Sequence, residues 1–107
     1  MIFARTDRSS FSEPGIYHYT RSDGENKKRV HLRIDPDGYA TLLINANRVF
    51  HFNPSAAFMA KAFLDERSEE DVLRALVHNF KVKKDDAAHD YAEFKQQLEL
   101  IVSPTSD

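Results

Sequence analysis

Arg48-Val-Phe-His-Phe-Asn-Pro-Ser-Ala-Ala-Phe-Met-Ala-Lys-Ala-Phe63 changes its hydrophobic period halfway along, and the fold turns on that change. Val49 to Phe52 is a short run of β-formers. Asn53-Pro54 then reads as a helix start. Asn53 supplies an N-cap oxygen, and Pro54 at the first helical position loses only an N–H that would have no partner there. Beyond it, Ala57, Met59, Ala60, Phe63 and Leu64 recur at helical spacing. Strands are expected before this point and helices after it.

Upstream, Ile16, Tyr17, His18 and Tyr19 carry strong β-propensity within Gly15 to Ser22. Ser22-Asp-Gly-Glu-Asn-Lys27 reads as a turn by composition. Val30, Leu32 and Ile34 alternate with His31 and Arg33, a strand with one buried face. Asp35-Pro-Asp-Gly38 has the residue order of a type I turn. Tyr39 to Asn45 is the return strand, and its unbroken Leu42-Leu43-Ile44 run suggests cover on both faces. Asn45-Ala-Asn47 closes a second hairpin, which leaves Arg48 to Phe52 as an outer strand.

Downstream, the first helix is expected from about Pro54 to Leu64. Ser68-Glu-Glu-Asp71 resembles a capping box, with acids at the positive end of the helix dipole. Val72, Leu73, Leu76, Val77 and Phe80 form the apolar face of a second helix. Lys81-Val-Lys-Lys84 is a basic connector, and Asp85 or Asp86 is the expected cap of a third helix. That helix carries Ala87, Tyr91, Phe94, Leu98 and Ile101 as its stripe, and Ser103-Pro104 ends it. Segregated strands and helices make an α+β domain: a small antiparallel sheet of three to four strands, then three helices in winged-helix fashion. Residues 1–14 read as an arm that Phe3 and Phe11 would pin, residues 15–102 as one domain, and residues 103–107 as a tail or the start of a linker.

The chain has 107 residues, 41% hydrophobic and 30% charged, which suits one folded domain with one core. Fifteen basic residues against seventeen acidic ones give a net charge of -2, a balance that disfavours nucleic acid as the main partner. There is no cysteine, so thiolate metal sites, disulfides and thiol nucleophiles are excluded. No stretch has the length of a membrane span and the first residues lack a signal-peptide core, so a cytoplasmic protein is expected.

Chemistry is hard to find in this sequence. His18, His31, His51, His78 and His89 show no zinc-motif spacing, and no metal or other cofactor is expected. His31 and His51 are expected to face solvent. No serine lies in a nucleophile elbow. The three glycines, at positions 15, 24 and 38, sit in turns, which excludes a glycine-rich phosphate loop. The carboxylates gather at helix starts, where capping and solvation explain them. The chain therefore reads as a binding domain rather than an enzyme.

Two surfaces are candidates for binding. One is the sheet edge at Arg48–Phe52, where a partner peptide can add a strand. The other is the third helix as a DNA-recognition helix. Asp85, Asp86, Asp90, Glu93 and Glu99 on that helix would repel phosphates. Lys27, Lys28 and Arg29, with Lys81, Lys83 and Lys84, are the best case for nucleic acid, but they read as solvated loops.

From about Val30 to Ile101 the chain resembles the PqqD-like family of peptide chaperones and recognition elements. Arg48-Val-Phe-His-Phe-Asn-Pro-Ser-Ala-Ala is similar to that family's strand followed by Leu-Asn-x-Thr-Ala-Ala. Phe63-Leu-Asp-Glu-Arg-Ser-Glu-Glu-Asp-Val-Leu-Arg-Ala-Leu76 is similar to its Leu-x-Asp-Gly-x-Thr-x-x-Glu-Ile-x-x-x-Leu. Asp90-Tyr-Ala-Glu-Phe-Lys-Gln-Gln-Leu98 is similar to its Asp-Val-x-x-Phe-Leu-x-x-Leu. Glu66 stands in place of the turn glycine, Lys95 in place of a leucine, and Tyr91 in place of a smaller aliphatic residue.

The resemblance implies a non-catalytic module that binds the leader of a ribosomally made precursor peptide. The leader would lie between a strand and the third helix and be presented to a modifying enzyme, such as a radical SAM enzyme. Carried onto this chain, the strand is Arg48, Val49, Phe50, His51 and Phe52. The helix positions are chosen from Ala87, Tyr91, Phe94, Lys95 and Leu98, with Tyr91 and Phe94 as aromatic anchors and Arg48 and Lys95 favouring an acidic leader. Phe50 and Phe52 are expected to face the core and His51 the open side. The rival readings are a winged-helix DNA-binding domain, with the hairpin at Tyr39 as wing, and a docking or dimerisation domain of a larger protein.

Overall fold

The computed structural model describes residues 12–104, and within them the switch at Asn53-Pro54 separates four strands from three helices. The strands are β1 (Gly15–Asp23), β2 (Asn26–Ile34), β3 (Ala40–Ile44) and β4 (Arg48–Phe52). They form one antiparallel sheet in the order β1-β2-β3-β4. The helices are α1 (Pro54–Leu64), α2 (Glu69–Phe80) and α3 (Lys84–Val102). This is the expected α+β architecture, with Gly15–Asp23 supplying the fourth strand. Phe3 and Phe11 lie outside the described residues. Ser12 is buried, and the Glu13 carbonyl accepts from the Tyr17 hydroxyl at 2.8 Å.

Side-chain alternation sends one face of the sheet into the core. Val30, Leu32, Ile34, Ala40, Leu42 and Ile44 are buried there with Ala57, Ala60 and Leu64 of α1 and Leu98 and Val102 of α3. A second cluster lies among the helices, from Phe58, Met59, Ala62, Val72, Leu76, Ala87 and Tyr91. Helix α1 belongs to both clusters, which is why it is apolar on nearly every side. Phe94 is half-buried and packs against both.

The turns follow residue chemistry. Gly38 donates to the Asp35 carbonyl at 2.9 Å, closing the expected turn. The three-residue link from β3 to β4 has Asn45 at φ 52° and Ala46 at φ 66°, both left-handed, and the Asn47 N–H donates to the Ile44 carbonyl at 3.1 Å, closing a turn of the primed kind. Helix α1 ends in a Schellman arrangement: Arg67 N–H donates to the Ala62 carbonyl and Glu66 N–H to the Phe63 carbonyl, both at 3.0 Å. Glu66 is the left-handed residue of that motif, at φ 60°.

Four sequence expectations are corrected. The turn expected over Ser22–Lys27 shrinks to Gly24-Glu25, because Ser22 pairs with Lys27 and Asp23 with Asn26. Lys28 is consequently a strand residue, 3% exposed, whose ammonium donates to the Ile101 carbonyl at 3.3 Å, and not part of a solvated loop. Strand β3 alternates buried and half-buried positions, so its unbroken apolar run does not mean cover on both faces. Lys83, not Asp85 or Asp86, is the N-cap of α3, with no side-chain cap; the first turn closes through the Ala87 N–H to the Lys83 carbonyl at 2.8 Å, and both aspartates lie inside it. A smaller departure concerns His31, which is half-buried and meets the His18 ring edge-on at 4.4 Å.

Candidate functional site

Strand β4 is held in register by β3 and stopped by a cap. Leu42 faces Phe50, Thr41 faces His51 and Ala40 faces Phe52. Asn53 ends the strand, and its side-chain oxygen accepts the Ala56 N–H at 2.9 Å. Among the described residues β4 has one neighbour in the sheet, β3, and so forms its edge.

The alternation of β4 fixes what each residue faces. Arg48, Phe50 and Phe52 are half-buried and turn toward the helical layer, while Val49 and His51 are exposed on the other face. The Arg48 guanidinium lies 5.3 Å from the centre of the Phe50 ring. Phe52 meets Phe94 of α3 edge-to-face, with ring centres 5.6 Å apart. His51 Nδ1 lies 3.5 Å from the Thr41 hydroxyl on the outer face. The direction expected for Phe50, Phe52 and His51 is the one observed.

The five residues named on α3 separate by helical geometry. Ala87, Tyr91 and Leu98 are buried at 1%, 2% and 1% exposure, so they form wall and core rather than open surface. Burial raises the Tyr91 hydroxyl above its usual pKa; Glu69 adds to this and Arg67 opposes it. Phe94 turns to β4. Lys95 turns the opposite way, pairing with Glu69 at 3.4 Å and lying 5.3 Å from the centre of the Tyr91 ring. It lines a separate cleft of about 230 Å³ that also includes Arg21 and Phe63. The structure thus brings Phe52 and Phe94 together, with Phe50 on the same face of β4, and turns Lys95 toward Glu69 of α2.

Residues one or two turns from Phe94 share its side of the helix: Asp90 and Gln97 at one turn, Ile101 at two. Asp90 and Gln97 are not among the helix positions expected from the sequence, which are Ala87, Tyr91, Phe94, Lys95 and Leu98. Their four- and three-residue spacing from Phe94 was the signal that could have found them. Asp90 and Gln97 are exposed and Ile101 is half-buried, so α3 presents an apolar centre with polar edges beside β4.

No group of three or more His, Cys, Asp or Glu able to hold a metal occurs among the described residues. Among them no helix is long and apolar enough to cross a membrane. What the arrangement can do chemically is bind: a strand edge, three aromatic rings and backbone groups suit an extended chain better than a bond-making step.

Comparison with known proteins gives one match. A family model described as "Coenzyme PQQ synthesis protein D (PqqD)" matches residues 32–100, most of the chain and the whole of the β4–α3 region through Leu100. Searches of curated proteins and of solved structures return no match.

Proposed function

The chain belongs to the PqqD family, whose general role is that of a non-catalytic peptide chaperone, and on that premise we propose that it recognises the leader of a ribosomally synthesised precursor peptide. The leader adds a strand along Arg48–Phe52, with side chains pointing inward onto Phe50, Phe52 and Phe94. The domain, residues 15–102, then presents the bound peptide to a modifying enzyme, such as a radical SAM enzyme, in the cytoplasm where the precursor is made. The domain itself makes and breaks no bonds.

The observation that carries this reading is the aromatic floor beside an edge strand. Backbone hydrogen bonds give such a site affinity for many sequences, and the ring pocket gives it selectivity. The DNA-binding reading draws no support from α3, whose exposed Asp85, Asp86, Asp90, Glu93 and Glu99 would meet phosphates.

Titrating the leader of a precursor peptide encoded beside this chain's gene into isotopically labelled protein tests the proposal. Saturable amide shifts at Arg48–Phe52 and around Phe94 are expected. Shifts confined to other surfaces, or their appearance only with duplex DNA, would overturn it.

A further inference from the structure

The helices cover one face of the sheet and leave the other open. Its outward positions are Ile16, His18, Thr20 and Ser22 of β1, Lys27, Arg29, His31 and Arg33 of β2, Thr41 and Leu43 of β3, and Val49 and His51 of β4. Strand pairing lines up His18, His31, Leu43 and Val49 in one row and Ile16, Arg33, Thr41 and His51 in the next. Ile16 is 63% exposed and Val49 53%, and Tyr39, just ahead of β3, is also 53% exposed. Of the large apolar side chains exposed among the described residues, Ile16, Tyr39 and Val49 belong to the sheet region, and Val77 and Leu100 to the helices.

The charge on this face is one-sided. Lys27, Arg29 and Arg33 project from it, and no outward strand position carries a carboxylate. Arg33 pairs with Asp35 in the turn beyond, at 3.1 Å. Eight acids lie on α2 and α3, at Glu69, Glu70, Asp71, Asp85, Asp86, Asp90, Glu93 and Glu99, while the acids of the sheet region, Asp23, Glu25, Asp35 and Asp37, lie at strand ends and in turns. The outward strand positions are therefore cationic, while α2 and α3 carry an excess of acids.

We propose that the open face of the sheet is a docking surface for an acidic amphipathic helix of a partner protein. Layered domains cover a sheet face with helices, and no helix among the described residues covers this one. The neighbouring pair Leu43 and Val49 takes the partner's apolar stripe, and Arg29, Arg33 and Lys27 take the carboxylates flanking it. A second copy fits worse. Sheet against sheet sets Arg29 and Arg33 against like charge, and sheet against a copy's acidic helices is a head-to-tail contact that does not close. Nucleic acid fits worse too, because two histidine rings of the face, His18 and His31, already meet each other edge-on.

This surface is distinct from the β4–α3 groove, so the two proposals fail separately. The test uses the full labelled chain and two helical peptides of about 18 residues, long enough to cross the sheet. Both carry a leucine stripe, flanked by glutamates in one and by lysines in the other. The glutamate peptide is expected to shift Arg29, Arg33, Leu43 and Val49 saturably and to leave Phe94 unmoved, and the lysine peptide to do neither. R29E/R33E is expected to weaken binding about tenfold. K27E serves as a milder variant in case the double one unfolds. No saturable shift on the sheet, equal binding of the lysine peptide, tighter binding of duplex DNA there, or concentration-dependent shifts of the chain alone would each overturn the proposal.

Discussion

Phe52 on the edge strand and Phe94 on α3 meet edge-to-face, with ring planes inclined at 70°. Through this pair the strand that ends the sheet reaches a residue shared by both core clusters. Phe94→Ala is expected to cost about 3 kcal/mol of stability, because it opens a void between two clusters. Phe52→Ala is expected to cost less, since its site on the edge collapses more easily. Urea denaturation of both single variants and the double variant should show a coupling of about 0.5–1.5 kcal/mol. Strict additivity would show that the rings touch without interacting.

Glu66 holds a left-handed conformation that an L side chain adopts at a cost. Glu66→Gly is expected to raise stability by about 0.5–1 kcal/mol, read as a higher denaturation midpoint at unchanged slope. Ala46→Gly should act in the same direction for the same reason, at the hairpin between β3 and β4. A loss of stability in Glu66→Gly would mean that the glutamate side chain makes a contact worth more than the backbone relief.

Lys28 places an ammonium against the C-terminal end of α3, where the dipole favours a cation. Lys28→Ala is expected to destabilise the fold by about 1–3 kcal/mol, leaving buried polar groups short of a donor. Hydrogen exchange should then rise first in the last turn of α3. Uniform exchange along the helix would argue that Lys28 does not anchor that turn.

Tyr19 donates to Asp65 at 2.7 Å, and Lys61 is the other partner of that carboxylate. Burial first, then this hydrogen bond, hold the Tyr19 hydroxyl above its usual pKa. The unfolded phenol releases its proton near pH 10 while the folded one keeps it, so the folded state loses stability as pH rises past that point. Chemical denaturation between about pH 8 and about pH 11 should show a steeper fall for the wild type than for Tyr19→Phe. Tyr91, also raised by burial, keeps its own share of the decline in both proteins. Equal slopes would remove Tyr19 from the alkaline transition.

The helices were legible because their signals are local. Asn53, Pro54 and Ser68 announce their roles in the sequence, and Ser68 accepts the Asp71 N–H at 3.2 Å as the capping pattern requires. The last residue of β1 and the start of β2 were not legible. Polar residues such as Asp23, Asn26, Lys27 and Lys28 join a strand only because a partner strand lies beside them. Arg21 and Lys28 then find tertiary contacts, Arg21 over the Phe63 ring at 5.2 Å and Lys28 on α3. The candidate groove was half legible. The stripe on α3 could be read from its spacing, but not which of its sides faces β4. That depends on how α3 lies against the sheet, and so Lys95 was grouped with Phe94 although the two diverge.

A single residue, Asn53, separates β4 from α1. With so short a link, the position of the edge strand is tied to that of the helix packed into both clusters. A chain laid along β4 would be measured out from a fixed stop, like cloth against the end of a ruler. A force on that chain would be felt in the helical layer before it could slide the strand.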